Sequence, residues 1–289
     1  MAATILILSA NSKVGLETAR QLLAAGVAVR AGVRDTAKAG ELARLGAEVV
    51  AADLDRPETL TAAVSGIERV LLSTGVDRNV AVLHARLYSA AKSAAVRHVV
   101  RVSAIGASPG AKVALGRAHG EGERCLEESG LGWTHLRPHS FLQNFFGSIA
   151  SIAGEGKIYS CMGQGRVPHV DVRDIAAVGV ACLTEPGHEG KTYEITGPEA
   201  LTMDEVASRL GEAIGRKVEY VDLPPEAWIA GAVAAGFPEW LARDLALLYA
   251  EVFARNYAAA VSPVVKAVTG RDGITVAQFA RDRAHMFRG

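Results

Sequence analysis

The chain has 289 residues, 49% of them apolar and 21% charged, with 31 basic and 31 acidic side chains in balance. That balance gives no electrostatic case for nucleic acid or an anionic membrane as a partner, and no run of about 18 apolar residues marks a membrane-spanning helix. Three scattered cysteines, Cys125, Cys161 and Cys182, lack zinc-site spacing, and the first residues lack the basic start of a signal peptide, so reduced thiols and a cytoplasmic location are expected.

Residues 4–8 are an apolar run that breaks into Ser9-Ala10-Asn11-Ser12-Lys13-Val14-Gly15. A helical pattern follows over 14–25, with Leu16, Ala19, Leu22 and Leu23 on one face. Strand, turn and helix in this order open a dinucleotide-binding domain. Glycines in such a turn accept positive φ and let a pyrophosphate approach the backbone at the helix N-terminus. Here the three slots hold Ser9, Ser12 and Gly15, so only the last is glycine. Each serine adds a Cβ and also a hydroxyl able to donate to phosphate. Asn11 tolerates left-handed backbone, and Gly15 suits close packing of helix on strand.

Further strands are predicted at 27–33, 48–52, 69–73, 98–103 and 133–137. Helical patterns fill 35–45, 57–64, 79–95 and 115–129. Most of the strand runs are continuous in Val, Ile and Leu, the mark of a parallel sheet covered on both faces. Gly26 and Gly46 suit left-handed helix ends, and Asp55 ahead of Arg56-Pro57 suits an N-cap. The alternation predicts an α/β fold, a doubly wound, Rossmann-like parallel sheet, with a dinucleotide-binding core over residues 1–140. At the end of the second strand, Arg34 and, one turn on, Lys38 are placed to meet the 2′-phosphate of NADP, while Asp35 suits a cap for the next helix. Asp53-Leu54 follows the third strand and is expected near the adenine.

After residue 140 strands become rarer, with short ones at 191–196 and 217–221. Thr202-Met203-Asp204-Glu205 and Thr275-Val276-Ala277-Gln278 read as capping boxes, and helices are predicted over 205–214, 227–235 and 240–253. Residues 141–289 are expected to extend the core and form a smaller, mostly helical, substrate-side lobe within a single compact unit.

The chain resembles the NmrA-like atypical short-chain dehydrogenase/reductase family, in its branch of triphenylmethane reductases and type 2 quinone oxidoreductases. The resemblance spans nearly the whole length. It rests on the turn at 8–13, Gly15, Val33-Arg34, Asp53-Leu54, Ser73-Thr74-Gly75, the run Leu136-Arg137-Pro138-His139-Ser140-Phe141-Leu142-Gln143-Asn144-Phe145, and Asp171-Val172-Arg173-Asp174-Ile175-Ala176. It also covers Gly187-His188-Glu189-Gly190-Lys191-Thr192-Tyr193 leading into 202–205. The resemblance implies a pyrophosphate lined by Ser9, Asn11, Ser12, Lys13, Val14 and Gly15, and a 2′-phosphate at Arg34. It implies Ser73, Thr74 and Gly75 under the adenosine side, and Arg137, Pro138, His139, Ser140 and Asn144 beside the nicotinamide. Where the family usually has Gly-Ala-Thr-Gly, this chain has Ser-Ala-Asn-Ser.

The Tyr-x-x-x-Lys pair of ordinary short-chain dehydrogenases is missing. Tyr88 and Lys92 have the spacing but precede the fifth strand, whereas the pair belongs in the helix after it. That helix holds His119 and Glu123, four apart and on one face. His119 is a candidate proton donor near neutral pH, with pairing to Glu123 as the alternative, and His139 is a second candidate for a polar contact. Phe141, Phe145 and Phe146, with Trp228, Phe237 and Trp240, are candidates for an apolar wall or simply for core. Asp171 and Asp174 suit the start of a helix, and no metal-ligand grouping stands out.

The expected function is an NAD(P)H-dependent oxidoreductase, NADPH preferred and NADH an option, reducing a small apolar quinone, azo, dye or imine-like acceptor. Hydride transfer to such acceptors needs orientation more than a strong acid. The alternative is a non-catalytic, dinucleotide-binding regulator. A small-molecule substrate is expected, with neither nucleic acid nor membrane as partner.

Overall fold

In the computed structural model, which describes residues 4–75 and 79–288, the apolar runs become a parallel sheet. Strand β1 (Ile5–Leu8) leads into α1 (Lys13–Ala24), then β2 (Val29–Val33), α2 (Gly40–Arg44), β3 (Glu48–Ala51), α3 (Pro57–Val64) and β4 (Arg69–Leu72). Next come α4 (Val80–Ser93), β5 (His98–Val102), α5 (Ala114–Glu127) and β6 (Gly132–Pro138). The rest comprises α6 (Ile149–Glu155), β7 (Lys157–Ser160), α7 (Val172–Thr184), β8 (Lys191–Ile195), α8 (Met203–Ile214), β9 (Glu219–Asp222), α9 (Pro225–Ala234), α10 (Glu239–Leu248), α11 (Val264–Thr269) and α12 (Val276–Phe287).

Seven strands pair in the order β3-β2-β1-β4-β5-β6-β8, every neighbour parallel. Alternate side chains point to opposite faces. Leu6, Leu8, Val70, Leu72 and Val99 therefore share a face and pack with Leu60, Val64, Leu87, Tyr88 and Leu126 from α3, α4 and α5. The strand order reverses between β1 and β4. That makes a topological switch point, the place where open α/β sheets bind ligands beyond the strand ends.

By contacts the chain divides into two compact units, each discontinuous in sequence. The first is residues 1–138, 172–195 and 267–270, and the second 139–171, 196–266 and 271–289. Residues 172–195, which the sequence places in the second part, contribute α7 and the seventh strand of the main sheet to the first unit. The sequence signals there are a helix start at Asp171 and Asp174 and one short strand at 191–196, with no indication of that strand's neighbour. The second unit holds a two-stranded parallel sheet, β7 with β9. Its core gathers Leu142, Phe145, Ile158, Leu210, Phe253, Phe279 and Phe287.

Several local expectations change. The helix predicted over 35–45 breaks into a 3-10 turn, Thr36–Lys38, and α2, because Ala39 leaves helical geometry ahead of Gly40. Arg56, not Asp55, occupies the N-cap of α3. The Asp55 amide instead donates to Asp53 Oδ1 at 3.0 Å. The box at 202–205 is complete. At 275–278 Thr275 caps the Gln278 amide, but the Gln278 side chain donates forward to Asp282 at 2.6 Å, so the reciprocal half is missing. The helix predicted over 240–253 is α-helical to Leu248 and then winds as one π-turn, Tyr249–Phe253. Gly26 and Gly46 do take left-handed φ, +77° and +92°.

Candidate functional site

The turn after β1 decides what the two serines do. Ser9 has φ 58°, the left-handed conformation that a glycine slot requires. The backbone thus keeps glycine geometry despite the Cβ, at a cost of about 1–2 kcal/mol. The turn is held by Ala10 N–H donating to the Gly32 carbonyl at 3.1 Å and Ser12 N–H to the Ser9 carbonyl at 2.8 Å. Ser12 is the N-cap of α1, its Oγ accepting from the Gly15 amide at 3.0 Å. The same hydroxyl pairs with Ser73 Oγ at 2.9 Å, linking the ends of β1 and β4 at the switch point. The Ser12 hydroxyl is therefore engaged within the protein.

Gly15 is fixed by space. A Cβ there would stand 2.7 Å from the Ser9 carbonyl oxygen and 2.8 Å from Ser12 Oγ. Val14 beside it is buried, while Asn11 and Lys13 are exposed at the helix mouth. Partial desolvation of the Lys13 ammonium draws its pKa below the ordinary lysine value. These features fit a dinucleotide phosphate: a helix N-terminus carries partial positive charge, and no side chain intrudes at residue 15.

Around this turn the other expected residues fall in several settings. Arg34 follows the last residue of β2 and is exposed. Asp35 caps the following 3-10 turn through the Ala37 amide at 3.1 Å and stands 3.5 Å from Lys38. Asp53 is spent on its own loop, accepting from the Asp55 amide and pairing with Arg56 at 3.4 Å. The Leu54 carbonyl accepts from Arg86 at 2.8 Å. Ser73 is buried, Thr74 half-buried and Gly75 exposed.

Beneath Thr74 lies a polar cluster that the sequence did not disclose. Thr74 Oγ1 is 2.8 Å from His84 Nε2. Arg101, fully buried on β5, donates from Nε to His84 Nδ1 and from Nη2 to His119 Nδ1, each at 3.4 Å. Gly122 admits the guanidinium, since a Cβ there would lie 2.5 Å from Nη2. Only hindsight finds a signal: a lone arginine inside a buried strand, facing a helix with glycines at 116, 120 and 122.

His119 and Glu123 share a face but not each other. Glu123 binds Arg137 through both oxygens, Nε to Oε1 at 2.9 Å and Nη2 to Oε2 at 2.6 Å. Burial is the largest influence and would raise the Glu123 pKa, but hydrogen bonds from Arg137 and Ser103 and the charges of His135 and Arg137 together hold the carboxyl below the ordinary value. Burial and then the Arg101 charge push His119 down to about 4. At neutral pH its ring is neutral and holds no imidazolium proton to give.

His139 is a structural histidine. Nε2 is 2.9 Å from the Ala258 carbonyl, and Nδ1 accepts from the Ser140 amide at 2.7 Å. Both nitrogens are committed, the ring stacks on Phe253 at 5.0 Å, and burial holds its pKa near 4. Both ring nitrogens of this expected contact residue are thus engaged within the protein. Pro138 is buried with its carbonyl taking the Ile105 amide at 3.1 Å. The Ser140 carbonyl accepts from Val170 at 2.9 Å, and Asn144 is exposed.

Two of the aromatics expected as wall or as core fall to core. Phe145 and Phe146 belong to the second unit's core, Phe146 stacking on Phe279 at 5.8 Å, and Phe237 is 43% exposed. Trp228 meets Tyr249 edge-on at 5.1 Å, and Tyr249 stacks on Phe253 at 5.8 Å. Tyr88 is buried in α4 near Arg101, and Lys92 donates to the Ser129 carbonyl at 3.0 Å. Asp171 and Asp174 are fully buried at the start of α7.

Residues 9–186 match the family model described as NAD(P)H-binding. The NAD(P)H azoreductase of Xenophilus azovorans is 40% identical over 283 residues, 98% of this chain and 99% of the relative. The NADPH-dependent quinone oxidoreductase of Escherichia coli, solved with NADPH, superposes with a TM-score of 0.85 at 29% identity, covering 98% of this chain and 99% of that one. Triphenylmethane reductase of Citrobacter sp., complexed with NADP(H), gives 0.82 at 28% identity over 97% of this chain and 99% of that one.

Proposed function

Because this chain belongs to the NAD(P)H-binding family and is an NAD(P)H-dependent oxidoreductase, we propose that it prefers NADPH and reduces a small, flat, apolar acceptor of the azo or quinone class in the cytoplasm. The observation that carries the cofactor reading is the turn at 9–15. It keeps a left-handed Ser9, a capped α1 and a residue 15 that admits no side chain. Relatives named for azo and quinone reduction support the acceptor class.

The α1 N-terminus and its turn receive the pyrophosphate. Arg34, exposed at the end of β2, pairs with the 2′-phosphate as a bidentate donor. Ser73, Thr74 and Gly75 border the adenosine side, and Arg137, held by Glu123, borders the nicotinamide. When bound, NADPH supplies the hydride. The protein's share is orientation of hydride donor and acceptor. No side-chain acid is required, because the proton completing the two-electron reduction comes from water.

The test is NADPH fluorescence titration followed by steady-state NADPH oxidation with a panel of quinones and azo dyes. Submicromolar to micromolar binding with turnover on at least one acceptor is expected. Arg34→Ala should weaken NADPH about tenfold and leave NADH unchanged. Absence of binding at sub-millimolar NADPH overturns the reading, and binding without turnover on any acceptor favours the regulator.

A further inference from the structure

We propose that Arg101 is a positioning residue whose buried guanidinium fixes His84 and His119 as Nε2–H donors, and through His84 turns the Thr74 hydroxyl proton outward to the cofactor. The inference rests on the NAD(P)H reading for its last step and on geometry for the rest.

Arginine has no acceptor and cannot lose its proton in a protein. Its contacts to His84 Nδ1 and His119 Nδ1, both at 3.4 Å, therefore run in one direction only. Each Nδ1 must be bare. Both rings are neutral, His84 held well below its ordinary pKa by burial first and by Arg101 second, so the single ring proton of each sits on Nε2. His84 Nε2–H then donates to Thr74 Oγ1 at 2.8 Å. With that lone pair used, the Thr74 proton points away from the cluster, and Thr74 is half-buried at the switch point. One cation thus sets two tautomers and one hydroxyl rotor.

The cost of keeping Arg101 there shows in its surroundings. It is fully buried, its Nη1 has no hydrogen-bond partner, and burial lowers its pKa. The groups around it are His84 and Tyr88 from α4, and His119, Glu123 and Cys125 from α5. Glu123 is the carboxylate among them, and both its oxygens already bind Arg137. A buried cation is costly even when hydrogen-bonded to neutral rings, and an apolar residue of similar volume is often more stabilising. Arg101 is therefore a poor choice for packing and a good one for holding acceptor nitrogens bare.

The experiment is long-range proton–nitrogen NMR of the histidine rings in the full chain without cofactor, from pH 5.5 to 8, together with NADPH titration. In the wild type, His84 and His119 should both show a bare Nδ1 and a protonated Nε2. Arg101→Met should move at least one ring to a tautomer mixture and weaken NADPH about tenfold, without loss of Tm. Thr74→Val should weaken NADPH at least fivefold. A protonated Nδ1 on either wild-type ring overturns the proposal even if Arg101→Met fails to fold. Unchanged tautomers in that variant, or an unchanged NADPH affinity in Thr74→Val, overturn it equally. Correct wild-type tautomers in a protein that ignores NADPH would instead refute the cofactor reading.

Discussion

Replacing Ser9 with glycine and Ser12 with alanine should move stability in opposite directions, although both residues occupy glycine slots of the same motif. Ser9 holds φ 58°, which costs a residue with a Cβ about 1–2 kcal/mol. A glycine removes that strain but adds freedom to the unfolded chain, returning roughly 0.5–1 kcal/mol. The net gain for Ser9→Gly is about 0.5–1 kcal/mol, or roughly 1–4 °C in Tm at about 2–4 °C per kcal/mol. Ser12→Ala loses the bond from the Gly15 amide and the Ser73 contact. An N-cap is worth about 1 kcal/mol and a further hydrogen bond about 0.5–1.5, so a loss of about 2 kcal/mol is expected. Thermal and urea unfolding by circular dichroism give both values, and an NADPH titration of each variant accompanies them. Ser9→Gly should bind NADPH as tightly as wild type or more so. Loss of stability in Ser9→Gly, or none in Ser12→Ala, would refute the division of labour between the two serines.

Gly15→Ala should lose about 2 kcal/mol or more and most NADPH affinity, because its Cβ meets a backbone oxygen at 2.7 Å; an unchanged unfolding curve would contradict this. Glu123→Gln should cost about 2–3 kcal/mol at pH 7 by stranding Arg137. The Glu123 pKa lies below its ordinary 4.5 in the fold, so that stability is present above pH 4.5 and fades as pH falls through the folded value. The gap between wild type and variant should close there in urea titrations. His139 and His169 are buried and neutral, held near 4 and near 3 against an ordinary 6.5. Stability is complete above pH 6.5 and drops as the unfolded chain takes up protons below it, by about 2 kcal/mol for each histidine at pH 5. Unfolding measured in steps from pH 7 to 5 checks the slope, and a flat profile would be the contrary result.

The sequence by itself determined the parallel sheet and the place of the turn between β1 and α1. Continuous apolar strands report burial on two faces, and a strand breaking into a polar turn before a helix is a local pattern. Cap chemistry was equally local at Thr202 and at Gly26. What the serines do was not legible, because a serine letter carries neither φ nor a partner 61 residues away. The same limit hid the return of 172–195 to the main sheet, since strand neighbours are chosen by long-range packing. It also left two histidines undecided. His139 and His119 were judged by the ordinary imidazole pKa, and only tertiary structure supplied the burial, the Ala258 carbonyl and the Arg101 charge that decide their protons. Patterns within one strand or turn survive in a linear string, whereas charge state and hydrogen-bond direction depend on which distant groups the fold brings within about 3 Å.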